Sequence, residues 1–245
     1  MPKPGENLKT LEIPKSMWPI DWDLIINLPE ILLPGDEELI NLKHPWELLV
    51  LLRNKLSDLI YENRVSQLAE VSDKACVEGP VWIEDGARIL PFAVVIGPCF
   101  IGKNTLVGNH TQVRGSFVGN DSMIGAGTEF IRSICLDRCT FHRNYVGDSL
   151  LGENVNMGGD SALANLRLDR TQVQSIIDGQ HIDTGLIKFG SIIGNNTDLA
   201  GKAVVMPGIK IGSNCLVGPG VILFKDLPNN SKIRVLQEQQ ITGIV

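Results

Sequence analysis

The stretch from His142 to Asp148 holds side chains that could carry out proton transfer. His142 has an imidazole whose usual pKa is near neutrality, which suits it to abstract a proton from a substrate. Tyr145, one of only two tyrosines, follows three residues later. An inward-facing histidine would need hydrogen bonds to offset the cost of its burial. The residue types therefore leave two interpretations open, a catalytic base and a structural histidine at a kink.

Two arginines suggest a site for an anion. Arg114 and Arg132 are 18 residues apart, the length of one coil if six-residue units close in threes, although a five-residue step after Val113 shifts their phase by one. Guanidiniums on adjacent coils would lie about 5 Å apart and repel each other unless an anion such as phosphate lay between them. Two solvated surface arginines are the alternative. Asn156 and Asn165 fall in the next coil, where amides could orient a substrate or simply form turns.

A six-residue period must position these side chains. Aliphatic residues recur at Val77, Ile83, Ile89, Val95, Ile101, Val107 and Val113, and again at Ile187, Ile193, Leu199, Val205, Ile211, Val217 and Leu223. Each hexad is expected to form a short strand and a turn, with the aliphatic side chain inside. The pattern predicts a mainly β fold, a parallel β-helix of about seven coils stacked about 4.8 Å apart.

Two segments interrupt the period, at 132–148 and at 165–186, and we expect both to leave the regular coil. In the second, Asp178-Gly179 separates two short apolar runs, which predicts a β-hairpin. An insertion of about 20 residues in a compact repeat is long enough to be a functional loop.

The first seventy residues differ from the rest of the chain in composition. Prolines break residues 1–44 into a proline-rich arm, and Pro45 begins a helix predicted at about 45–63, whose apolar face packs on its own domain. We therefore divide the chain into an arm and helix (1–70), a β-helix domain (71–235) with a loop insertion at 166–186, and a C-terminal tail (236–245).

Composition argues against several classes of function. A net charge of −6 without a long basic run disfavours nucleic-acid binding. The five cysteines are scattered, Cys135 and Cys139 lack the second pair of a zinc site, and the four histidines show no close pair, so we expect no metal. Without a signal peptide or a long apolar run, we expect a cytoplasmic protein that does not contact a membrane.

Taken together, the motifs resemble the acetyltransferase half of the bifunctional sugar-1-phosphate nucleotidylyltransferase/amino-sugar-1-phosphate acetyltransferases, especially the archaeal type. The family's His-x-x-Tyr-x-Gly-Asp motif matches residues 142–148. The other matching segments are 165–167 (Asn-Leu-Arg), 183–185 (Asp-Thr-Gly), 188–194, 206–212, 217–221 and the linker-helix segment 44–49.

The resemblance implies a left-handed β-helix that forms a homotrimer, with acetyl-CoA as co-substrate between neighbouring prisms and a sugar phosphate at the coil edge. It makes His142 the general base and Asn165 a second catalytic residue, and it requires no metal. The implied substrate-binding residues are Arg114, Arg132, Tyr145, Glu129, Asn156 and Arg167. The implied residues for acetyl-CoA are Gly159, Gly201 and Pro219.

Two functions follow as hypotheses. The first is a stand-alone acetyl-CoA-dependent N-acetyltransferase acting on glucosamine-1-phosphate or galactosamine-1-phosphate. The second is a non-catalytic trimeric partner of a separate nucleotidylyltransferase. The second is motivated by the lack of a nucleotide-binding loop and by Thr171, Gln174 and Asp160, where the family pattern has two lysines and a glycine.

Overall fold

The computed structural model describes residues 42–242. Residues 1–41 of the proline-rich arm predicted from the sequence lie outside the described residues. From Arg64 to Ile233 the chain forms a parallel β-solenoid of about nine turns. Over residues 42–242 this confirms the parallel β-helix with one α-helix, and it corrects the expected seven coils. The left hand of the coil, which rests on the resemblance, stays a prediction.

Each turn contributes short strands to three parallel sheets within the described residues. Sheet 1 contains Arg64–Val65, Val81–Ile83, Cys99–Ile101, Phe117–Val118, Ile134–Cys135, Leu150–Leu151, Ile192–Ile193 and Lys210–Ile211. Sheet 2 contains Glu70–Val71, Arg88–Ile89, Leu106–Val107, Met123–Ile124, Thr140–Phe141, Asn156–Met157, Asp198–Leu199, Leu216–Val217 and Lys232–Ile233. Sheet 3 contains Cys76–Glu78, Val94–Ile96, Gln112–Arg114, Glu129–Ile131, Tyr145–Gly147, Ala162–Leu163, Val204–Val205 and Ile222–Leu223. The first strand begins at Arg64, within the range that the sequence analysis gives to the arm and helix.

The inward-facing hexad residues form the core of the solenoid. In sheet 1, for example, Ile101, Val118 and Cys135 pair in register on successive turns, and all three are fully buried. Small polar residues at the corners satisfy their hydroxyls locally, as when Thr105 Oγ1 donates to the Gly119 carbonyl at 2.7 Å. Because every turn repeats this arrangement, burial of apolar side chains stabilises the whole prism.

Left-handed backbone forms the three edges of the prism. Edge 1–2, between sheets 1 and 2, has positive φ at Gly86, Asn104, Asp121, Arg138, Asn154, Asn196, Asn214 and Asn230. On edge 2–3, between sheets 2 and 3, the residues with positive φ are Phe92, His110, Gly127, Arg143, Asp160, Lys202 and Gly220. On edge 3–1, between sheets 3 and 1, they are Gly79, Gly115, Arg132, Asp148 and Gly208. Glycine and asparagine adopt this conformation with least strain, which explains their abundance at the corners.

Asn196 on edge 1–2 tests the energetics of these corners. Its side chain accepts a hydrogen bond from Asn154 Nδ2 at 3.0 Å and donates to Asn214 Oδ1 at 3.2 Å. We expect Asn196→Ala to cost about 1–2 kcal/mol, because alanine is strained at positive φ. Asn196→Gly should cost less, although it removes the same two hydrogen bonds. Urea unfolding of both variants measures the difference, and equal losses would show that the hydrogen bonds dominate.

The segment 132–148 does not leave the solenoid, so this expectation is wrong. Phe130 pairs with Val113 on the preceding turn and with Val146 on the following turn, steps of 17 and 16 residues. The turns here are one or two residues shorter than 18. The corners absorb the deletion while the parallel ladders remain intact, which is why the sequence period slips without a loop.

The insertion contains the predicted hairpin, which lies against sheet 1. Strands Gln174–Ile177 and Gln180–Asp183 pair antiparallel, and Asp178 and Gly179 both have positive φ in the turn, as a two-residue hairpin loop requires. Lys210 Nζ, which is buried, donates to Ser175 Oγ at 3.0 Å and to the Ile176 carbonyl at 2.7 Å, and it pairs with Asp226. These contacts fasten the insertion to the prism.

Helix α1, Pro45–Leu59, covers a large part of the remaining outer surface of sheet 1. Its start is capped by the Glu47 carboxylate, which accepts hydrogen bonds from the backbone N–H groups of Lys43 and His44. Buried leucines of its apolar face, such as Leu52 and Leu56, pack in one cluster with side chains of sheet 1. The helix therefore packs on its own domain as expected, but it ends at Leu59, short of the predicted residue 63. Within the described residues, no helix is both long enough and apolar enough to span a bilayer.

Candidate functional site

The strand Tyr145–Gly147 of sheet 3 connects two groups of polar residues. His142 precedes the strand at edge 2–3, and Asp148 follows it at edge 3–1. Val146 faces the core, so the neighbouring Tyr145 side chain lies on the outer face of sheet 3. The candidate site therefore extends across one outer face of the prism, from one edge to the next.

The side chain of His142 is exposed, which excludes the inward-facing histidine considered from the sequence. Phe141 occupies the inward position instead. Asn144 fixes the turn that carries His142: its Oδ1 accepts the His142 backbone N–H, and its Nδ2 donates to the carbonyls of Gly158 and Ser161 at 2.9 and 3.0 Å. The sequence alone indicates no role for Asn144. The imidazole is thus accessible to a substrate on a well-supported turn.

A buried carboxylate organises the other end of the strand. Asp148 is 1% exposed, and its two oxygens accept hydrogen bonds from Arg132 Nε at 2.7 Å and Nη2 at 2.6 Å. Asn165 Nδ2 donates to the same carboxylate at 2.6 Å, and Arg53 of helix α1 donates at 3.3 Å. Hydrogen bonding to Asp148 raises the pKa of Arg132, whereas burial lowers the pKa of Arg53.

Arg114 and Arg132 lie on adjacent turns at edge 3–1, as the spacing predicts, but not side by side in register. Arg114 pairs with Ile131, and the backbone N–H of Arg132 donates to the Arg114 carbonyl at 2.7 Å. Asp148 neutralises part of the expected charge, a contact that the sequence did not indicate. Among the described residues, the buried Nε of Arg114 has no hydrogen-bond partner. This edge therefore retains cationic donors for an anion.

Gly147 leaves room above the strand for the side chains of both Tyr145 and Asn165. A side-chain carbon at Gly147 would lie 2.8 Å from the Tyr145 hydroxyl and 2.5 Å from Asn165 Nδ2, closer than carbon atoms approach. Glu129 pairs with Tyr145 on the neighbouring strand and is exposed. These three predicted site residues, Glu129, Tyr145 and Asn165, are thus close together on or beside sheet 3.

Two predicted substrate-binding residues lie apart from this face. Asn156 is on sheet 2, where its Nδ2 donates to Asp198 Oδ1 at 3.1 Å. Arg167 is in the insertion, where its guanidinium donates to Asp169 at 2.6 and 3.0 Å and to Thr171 Oγ1 at 3.0 Å. The Arg167 guanidinium holds the pKa of Asp169 well below its usual range. Arg167 is therefore engaged within its own loop, and its proposed contact with substrate stays a prediction.

The three residues predicted for acetyl-CoA lie along edge 2–3, beside His142. The Gly159 carbonyl accepts the Lys202 N–H at 2.9 Å, and the Gly201 carbonyl accepts the Gly220 N–H at 3.1 Å, next to Pro219. Asp160, the departure from the family pattern, is bound by both Nε and Nη2 of Arg143 at 2.7 and 2.8 Å. Hydrogen bonding to Arg143 lowers the pKa of Asp160. A charge pair, and not an isolated carboxylate, thus lines this edge.

Four of the five cysteines are buried and present no thiol at the surface. Cys99, Cys135, Cys139 and Cys215 are buried, and burial raises the pKa of Cys99 to about 11. Packing is therefore their role, as expected for Cys99 and Cys215. In the part of the chain that the structure describes, no three His, Cys, Asp or Glu side chains are grouped so that they could hold a metal ion.

Comparison with known proteins places this geometry in context. No family model matches the chain. It is 30% identical over 185 residues to the bifunctional sugar-1-phosphate nucleotidylyltransferase/acetyltransferase of Sulfurisphaera tokodaii, which covers 75% of this chain and 45% of the relative. It is 32% identical over 212 residues to the bifunctional protein GlmU of Methanococcus aeolicus, with 79% and 46% covered. The chain thus spans about half the length of the curated relatives it matches.

Among solved structures, the UDP-N-acetylglucosamine acyltransferase from Campylobacter jejuni is 14% identical, with a TM-score of 0.40 and 67% of this chain and 68% of that chain covered. That likeness is too weak to add to the sequence comparison. The sequence relatives confirm the resemblance carried by the motifs. This chain is a homologue of the bifunctional sugar-1-phosphate nucleotidylyltransferase/acetyltransferase proteins, over a region about half their length.

Proposed function

We propose that the protein transfers an acetyl group from acetyl-CoA to the amine of an amino-sugar-1-phosphate, either glucosamine-1-phosphate or galactosamine-1-phosphate. The observation that carries the proposal is the placement of an exposed base and a cationic cluster at opposite ends of one strand, with Tyr145 between them. A substrate with both an amine and a phosphate matches this pairing.

The residues of this chain would act as follows. His142 accepts a proton from the substrate amine as the amine attacks the thioester carbonyl. The C–N bond forms, the C–S bond breaks, and coenzyme A leaves as a thiolate that takes up a proton. Asn165 and Tyr145 orient the sugar, while Arg114 and Arg132 bind its phosphate. Because a thioester is already activated, alignment and correct protonation supply most of the acceleration.

Edge 2–3 is where we place acetyl-CoA, along Gly159, Gly201 and Pro219. Backbone N–H groups at this edge are candidate donors to the oxyanion that forms when the amine attacks. Helix α1 and the hairpin cover the outer face of sheet 1, whereas sheets 2 and 3 present their outer faces to solvent at many positions. We propose a homotrimer in which a neighbouring prism completes the acetyl-CoA site against these two faces.

An acetyl-transfer assay tests the proposal. The purified protein is incubated with acetyl-CoA and either amino-sugar-1-phosphate, and free thiol is followed with a colorimetric reagent. We expect thiol release that depends on the acceptor and yields one N-acetylated product per thiol. Absence of thiol release with both sugars would contradict the proposed function.

The second hypothesis, a non-catalytic partner of a nucleotidylyltransferase, is favoured by one observation: Arg132 and Arg167 are both engaged by carboxylates of the same chain. Calorimetric titration with acetyl-CoA separates the two functions. Saturable binding of one acetyl-CoA per chain supports the transferase. Absence of acetyl-CoA binding, together with capture of a nucleotidylyltransferase, would support the partner.

A further inference from the structure

We propose that Arg53, on helix α1, is a third guanidinium of the site for the acceptor's phosphate and sets the protein's selectivity for phosphorylated amino sugars. This inference rests on the proposed function and deepens it. None of the site residues predicted from the sequence lies on helix α1. The juxtaposition that supports it is that of Arg53 and Arg132 on a single buried carboxylate.

Arg53 is held close to the predicted phosphate site. Its Nη1 lies 3.3 Å from Asp148 Oδ1, the same oxygen that accepts the Nε of Arg132 at 2.7 Å. The two guanidiniums thus share one acceptor from opposite parts of the chain, the helix and sheet 3. Asp148 is 2% exposed at its side chain, so water does not screen this group well.

The charges of this group do not balance. Arg53 and Arg132 contribute two positive charges around Asp148, whose one negative charge leaves +1, and Arg114 on the neighbouring turn adds another positive charge. Burial is the main cause that lowers the pKa of Arg53, and the nearby charge of Arg132 lowers it further. A bound dianion would remove this repulsion. A phosphate monoester carries up to two negative charges, and guanidiniums bind its oxygens in pairs.

The arginines retain access to solvent. The side chain of Arg53 is 31% exposed and that of Arg132 is 25% exposed, so N–H groups not directed at Asp148 can reach a ligand. Asp148 fixes the orientation of both guanidiniums before a ligand arrives, which reduces the entropy lost on binding. A carboxylate beside an anion site would ordinarily repel the anion and occupy the donors that should bind it. Here Asp148 holds both guanidiniums in place while part of each arginine side chain stays exposed.

Arg53→Met tests this role. We expect KM for the amino-sugar-1-phosphate to rise about 10- to 100-fold, the effect of losing one charge-assisted hydrogen bond, with kcat and KM for acetyl-CoA nearly unchanged. Activity with the unphosphorylated amino sugar should not change. Arg53→Lys, which keeps the charge, should recover part of the lost affinity. Arg88→Gln is the matched control, since Arg88 pairs with Glu70 at an exposed position on sheet 2.

Direct calorimetry of glucosamine-1-phosphate without acetyl-CoA provides a readout that does not depend on catalysis. Weaker binding to Arg53→Met than to wild type and Arg88→Gln would support the inference. If Arg53 only docks the helix, the melting temperature should fall while affinity for phosphorylated and unphosphorylated sugars changes equally, which would overturn it. Failure of the proposed function is distinct: wild-type protein would then release no thiol with any amino-sugar phosphate.

Discussion

His142→Ala is expected to lower kcat for acetyl transfer by about 10²- to 10⁴-fold, the usual contribution of a general base. The imidazole is exposed at edge 2–3, beside the column of Gly159 and Gly201, so its removal leaves no cavity and breaks no packing. The backbone of His142 is held by the Met157 carbonyl and by Asn144, which do not depend on the side chain. We therefore expect the melting temperature to stay close to that of wild type.

The chain offers a matched control for this variant. His110 is also exposed at edge 2–3, on an earlier turn of the solenoid. Its ring stacks on that of Phe92, with the ring centroids 5.0 Å apart. Its backbone has a φ of 57°, so His110→Asn is the suitable substitution. Steady-state assays of both variants at saturating acetyl-CoA should show a large loss only for His142→Ala. Equal rates for the two variants would remove His142 from the catalytic role.

The pH profile provides a second test of the same residue. A general base must be unprotonated to act, so kcat/KM should fall as pH drops through the pKa of the free enzyme's base. This acidic limb should be present in wild type and His110→Asn. The substrate amine must also be unprotonated to attack, so its own acidic limb stays in every variant. His142→Ala should lose only the part of the limb that the enzyme's base contributes, measured as the difference from His110→Asn, and no such difference would assign the base to another group.

The repeat itself was predictable, because periodicity depends on local sequence. One aliphatic residue in six and glycine or asparagine at the corners follow from the geometry of a short strand and a left-handed turn. The hairpin was also predictable, since Asp178-Gly179 satisfies the turn by itself. The prediction that segment 132–148 leaves the coil was wrong. The slip in period there reflects shorter turns whose strands still pair with their neighbours.

The placement of the candidate site residues was predictable only where a motif or the coil spacing named them. His142 and Tyr145 are three residues apart, and Asn165 belongs to a second matching segment, but no local pattern connects them to Arg53. The contact between Arg53 and Asp148 joins residues 95 positions apart and depends on how the helix crosses sheet 1. The carboxylates that bind Arg132 and Arg143 likewise lie near their partners only because successive turns stack. Ion pairing of this kind is a tertiary property.

Asp148→Asn is expected to lower the free energy of unfolding by about 3 kcal/mol, because it removes the negative member of a buried charge group. Asp148 accepts hydrogen bonds from Arg132, Arg53 and Asn165, and an asparagine amide cannot accept all of them. The amide NH₂ would face guanidinium N–H groups, donor against donor. The backbone φ of 49° suits asparagine as well as aspartate, so the loss should report the charge and its hydrogen bonds.

Asp160→Asn is the control that isolates the effect of burial on the loss of stability. Asp160 also has a positive φ, of 62°, and also accepts two hydrogen bonds from one arginine, Arg143, but this pair is exposed. Water screens such a pair and can solvate both partners after the substitution, so we expect little change in stability. Urea unfolding of the two variants compares the same substitution in the same backbone conformation. Similar losses for both would mean that Asp148 does not organise the edge that holds Arg53, Arg132 and Asn165.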